Sequence, residues 1–74
     1  MTAYRILYGG TLLGLAAVTP AGTVRLPAAL EKQLAAAGGA AAVASLIHQM
    51  RLLWAEDRHG NITFHERAGA IESV

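Results

Sequence analysis

Ser45 and His48 are the one nucleophile and base that a single helical turn would bring within reach of each other, since residues three apart share a helix face. Acyl transfer on that pair would also need an acid to orient the imidazole and donors for the oxyanion. No Asp or Glu lies near the pair on the same stretch, so the two read as solvated polar side chains. A second chemistry is metal binding. His48, His59 and His65 occur near Glu56, Asp57 and Glu66, and imidazole with carboxylate is a common ligand set for zinc. The spacing opposes a compact site, because eleven residues separate His48 from His59, roughly 16 Å along one helix. Asp57 with Glu56 or Glu66 could form a carboxylate pair, yet on a short polar loop these are solubilising charges. Gly9, Gly10 and Gly14 match neither the dinucleotide fingerprint nor the phosphate loop, and they precede a strand rather than a helix. Gly10 and Gly14 have the spacing of a membrane-helix dimer motif, in a segment too short to span a bilayer. No enzyme is expected, and neither cofactor nor metal.

Composition sets the remaining bounds. A chain of 74 residues holds one domain, taken here as 1–74, near the lower size at which a fold without disulfide or metal is stable. Hydrophobic residues make up 54% and charged residues 15%, which excludes a disordered tail and leaves little charge to cover an exposed apolar face. Some of that surface is expected to meet a partner or a second copy, in a homodimer. The formal net charge is +1, and Arg5, Arg25, Lys32, Arg51, Arg58 and Arg67 are scattered rather than striped. Nucleic acid is therefore disfavoured as a ligand. Cysteine is absent, so nothing ties the chain to an oxidising compartment, and a cytoplasmic location is the default. Residues 1–22 loosely resemble a signal peptide, but three glycines interrupt the apolar run, its basic region holds only Arg5, and it is too short to span a membrane. Five arginines against one lysine, with abundant alanine, suggest a GC-rich genome, bacterial or phage.

The elements that would position these residues follow from periodicity. Tyr4, Ile6 and Tyr8 alternate with Arg5 and Leu7, the period of a strand. Gly9-Gly10 tolerates positive φ at both central positions of a hairpin turn, and residues 11–19 then supply a second, almost wholly apolar strand. Thr19-Pro20-Ala21-Gly22 is a turn signal that returns residues 23–26 as a short third strand. Pro27 suits a helix start, and residues 28–37 are good helix formers, with Leu30 and Leu34 on the buried side. Gly38-Gly39 would cost about 2 kcal/mol inside a helix, which predicts a joint there and a second helix beyond it. In that second helix Val43, Leu46, Ile47, Met50, Leu53 and Trp54 fall within an arc of about 120°, and Leu52 points the other way. Gly60 suits a helix C′ position, residues 61–66 alternate as a fourth strand, and residues 67–74 read as a flexible tail. A competing parse makes residues 52–56 a strand and 57–61 a hairpin loop.

The expected fold class is α+β, a two-layer domain in which an antiparallel sheet of three to four strands packs against two helices (β-β-β-α-α-β). The expected function is a small non-enzymatic protein-binding module acting as regulator, adaptor or inhibitor, of the kind a phage or mobile element carries against a host system (the anti-CRISPR type). Its candidate contact residues are His48, Arg51, Leu52 and His59, an apolar anchor ringed by polar groups. The alternative is a small DNA-binding transcriptional regulator using the helix pair around Gly38-Gly39 as a helix-turn-helix.

Overall fold

The computed structural model describes residues 1–57, Gly60, 62–64 and 67–74, with Ile62 and Thr63 described by backbone alone. Within them the strand β1 (Thr2–Tyr8) turns at Gly9-Gly10 into β2 (Thr11–Val18), the two paired antiparallel. Gly9 and Gly10 have φ of 61° and 82°, the doubly left-handed turn whose twist matches that of a hairpin. The pairing slips between Ile6 and Leu7, which face Gly14 and Leu12, so Leu13 is the extra residue of a bulge. A turn in which the Gly22 N–H donates to the Thr19 carbonyl at 2.8 Å leads to β3 (Val24–Arg25).

After Pro27 the helix α1 runs over Ala28–Ala55. The two expected helices are one element, and the expected joint survives inside it as a kink, with Gly39 at φ 77° and ψ −177°. The geometry requires such a break. A straight helix of these 28 residues would measure about 42 Å, longer than the 29 Å principal extent of the molecule. Gly39 supplies the positive φ, while a Cβ on Gly38 would stand 2.8 Å from the Tyr8 hydroxyl and 2.6 Å from the Ala42 Cβ. Tyr8 thus packs directly over the bend.

The helix continues through residues 52–55, which overturns the competing parse of a strand there. Its αL stop is Asp57, at φ 51°, rather than Gly60. The Asp57 N–H donates to the Trp54 carbonyl at 3.2 Å, and Asp is one of the few residues that tolerates this conformation. Next comes β4 (Ile62–Phe64), inside the strand expected over residues 61–66, of which residues 61, 65 and 66 lie outside the described residues. The chain then enters β5 (Gly69–Ser73), where the sequence suggested a tail. The sheet order is β3-β2-β1-β5-β4, every neighbouring pair antiparallel, so β5 lies in the interior between β1 and β4. The architecture is α+β with one kinked helix on one face of the sheet.

That face holds the core. Tyr4 and Ile6 of β1, Ala16 and Val18 of β2, Phe64 of β4 and Ile71 of β5 pack against Leu30, Leu34, Ala42, Leu46, Met50 and Leu53 of α1. Of the six residues expected on the helix stripe, Leu46, Met50 and Leu53 are buried, Val43 and Trp54 are partly buried against the core, and Ile47 is only half-buried, while Ala42, outside the expected set, is fully buried. Burial raises the Tyr4 phenol above its ordinary pKa, and the carboxylate of Asp57 raises it further.

Candidate functional site

Because strand residues alternate, the same registers that fill the core also fix what the opposite face displays. Three rows cross that open face. Arg25, Ala17 and Ala3 form the first; Leu15, Arg5 and Glu72 the second; Leu12, Leu7 and Ala70 the third. The bulge at Leu13 keeps Leu12 and Leu15 on this face together, since without the extra residue their spacing of three would put them on opposite sides. Leu15 is 53% and Leu12 55% exposed. No helix covers them.

Relief on the face comes from side-chain size. Ala3 and Ala17 are low, Leu15 rises on one side of them, and Arg25, Leu26 and Pro27 rise on the other, enclosing an open depression of about 340 Å³. Its lining is mainly apolar and contains one charged group, Arg25. The neighbouring row carries an ion pair, in which Arg5 Nε donates to Glu72 Oε1 at 3.2 Å; a second nitrogen, Nη2, donates to the Ser73 carbonyl at 3.0 Å. Arg25 makes no such bond among the described residues, so the face presents one compensated cation and one open one.

Those of the residues singled out from sequence that are described lie on the other outer surface. His48, Arg51 and Leu52 are exposed on the solvent side of α1, with Leu52 at 42%, and His59 lies outside the described residues. The structure brings His48, Arg51 and Leu52 onto one helix surface. Ser45 is half-buried beside an exposed His48. Among the described residues no three His, Cys, Asp or Glu side chains group as a metal site, and no helix is long and apolar enough to cross a membrane. On either side of the Gly39 break, both halves of α1 pack along the sheet, through Leu30 and Leu34 before it and Ala42, Leu46, Met50 and Leu53 after it.

Sequence reading missed Leu15, Ala17, Ala3 and Arg25 as a group. Its available signal was the alternation in residues 3–7 together with the apolar second strand, which already implied leucine on the uncovered side. The row that joins Ala3 to Ala17 and Arg25 depends on strand register, set by the Gly9-Gly10 turn and the bulge. Comparison with protein-family models, with curated proteins and with solved structures finds no match.

Proposed function

We propose that the protein is a non-enzymatic protein-binding module, a regulator, adaptor or inhibitor, that meets its partner through the open face of its sheet. The observation that carries this reading is the pair of leucines, Leu12 and Leu15, each more than half exposed and set beside an alanine-floored depression. A chain this poor in charge gains nothing from displaying them to water, and clustered apolar side chains rimmed by charge are the arrangement of an interaction site. The edge on this side favours the face over edge pairing, since β3 has two residues and the stretch of β2 that it leaves uncovered carries the bulge. Short and irregular edges are poor templates for an added strand.

A second copy of the chain is the other protein that could cover this face. Charge argues for a different partner. In a two-fold stack the same patch meets itself, and Glu72, the one acidic side chain in the three rows, is already held by Arg5. Arg25 would then remain uncompensated in both copies.

The test is retention of cellular proteins on immobilised wild type, Leu15→Glu and Leu52→Glu, all three first shown to be folded. Proteins held by wild type and Leu52→Glu but released by Leu15→Glu are the expected result. Equal retention by all three would remove the sheet face, and loss only in Leu52→Glu would return the site to the helix.

A further inference from the structure

Resting on the reading that the open sheet face binds protein, we propose that the depression between Leu15 and Arg25 receives a large aliphatic side chain from a partner peptide segment that carries a carboxylate beside it. The apolar half of this pairing comes from shape. Ala3 and Ala17 stand side by side in adjacent strands and leave a floor one side chain deep between Leu15 and the Leu26-Pro27 wall. A volume of about 340 Å³ is ample for a leucine or isoleucine and sits at the small end of ligand sites.

The acidic half comes from charge. No Asp or Glu lines the depression, Arg25 forms part of its wall, and the Arg25 guanidinium is exposed with no hydrogen bond or ion pair among the described residues. Arg5, in the neighbouring row, is already engaged by Glu72 and the Ser73 carbonyl and so does not compete. A fork of donors next to an apolar hollow selects an anion attached to an apolar group, because each half alone leaves the other uncompensated. Among the described residues, the same face of a second copy offers only Glu72, already held by Arg5, which is why a second copy is the poorer occupant.

The experiment titrates the ¹⁵N-labelled full chain with N-acetylated, C-amidated Gly-Glu-Leu-Glu-Gly at millimolar concentration and follows the amide spectrum. Blocked termini make the side-chain carboxylates the only anions. Shifts should cluster at Ala3, Leu15, Ala17 and Arg25. Replacing the peptide's two glutamates by lysine, or its leucine by alanine, should weaken binding by about fivefold or more, the scale of a surface charge pair or a small apolar contact. Ala17→Val places a β-branched residue on an open strand face, so the protein stays folded while the hollow is filled, and binding should vanish. Arg25→Glu should invert the preference, so that the lysine peptide now binds better. Four outcomes would overturn the proposal: no clustered shifts, a preference unchanged by Arg25→Glu, hexanoate binding as well as the peptide, or the same amides shifting with protein concentration alone. The third would assign the hollow to small amphipathic anions and the fourth to a second copy. Loss of cellular partners in Leu15→Glu together with any of the first three would leave the sheet-face reading standing and refute only the acidic-aliphatic chemistry.

Discussion

Tyr4 shows how a single buried side chain ties stability to pH. Its phenol sits in the core cluster with 2% of its surface exposed, and burial first, then the Asp57 carboxylate, hold its pKa above 10.0 in the folded state. A proton held more tightly by the folded than by the unfolded chain adds stability that is complete below the unfolded pKa and disappears as pH rises through the folded one. Denaturation of wild type should therefore show a loss of stability beginning near pH 10, and Tyr4→Phe, which has no proton to lose, should show a smaller loss over the same window. Equal alkaline losses in the two proteins would mean that Tyr4 is not buried as described. Gly39 is a second case. Alanine there must adopt φ 77° with ψ −177°, a region nearly confined to glycine, and should cost about 3 kcal/mol in urea denaturation. Gly38→Ala should also lower stability, by about 1–3 kcal/mol, because its Cβ meets Ala42 and the Tyr8 hydroxyl and must displace one of them.

At the scale of elements, α1 decides where its neighbouring leucines go. Leu53 is 2% exposed and Leu52 42%, the 100° step between consecutive helical residues carrying one into the core and the other to solvent. Leu53→Glu should therefore unfold the protein or remove several kcal/mol of its stability, whereas Leu52→Glu should stay within about 0.5 kcal/mol of wild type. Reversed effects in thermal melts would show the helix turned about its axis. The helix was legible in the sequence because Leu46, Met50 and Leu53 keep helical spacing, and so was the Gly38-Gly39 break. What local propensity could not supply was the direction of the bend, which brings both halves onto the same face of the sheet. The first two strands and both of their turns were readable for a similar reason: Gly9-Gly10 and Pro20 to Gly22 act locally. By contrast, residues 69–73 carry only Ile71 as a strong apolar residue and acquire a strand from position, by inserting between β1 and β4.

Considered as a whole molecule, the fold depends on that late insertion. Removing residues 69–74 would strip β1 of one neighbour, leave β4 unpaired and delete Ile71 from the core. Such a truncation should lack a cooperative thermal transition, where trimming a loose tail would leave the melt unchanged. The same topology accounts for what the candidate site owed to tertiary structure. The exposed Leu52 could be foreseen from helical phase, but the partnership of Leu15, Ala3, Ala17 and Arg25 spans three strands and exists only once their register is set. With one helix committed to one face of the sheet, the other face is left to water or to a partner, and its leucines favour the partner. The most direct test is hydroxyl-radical footprinting of leucine side chains in the free protein and in complex with a protein retained from lysate. Leu12 and Leu15 should lose reactivity in the complex while Leu52 keeps it; protection of Leu52 with Leu12 and Leu15 unchanged would put the interface on the helix and refute the sheet face.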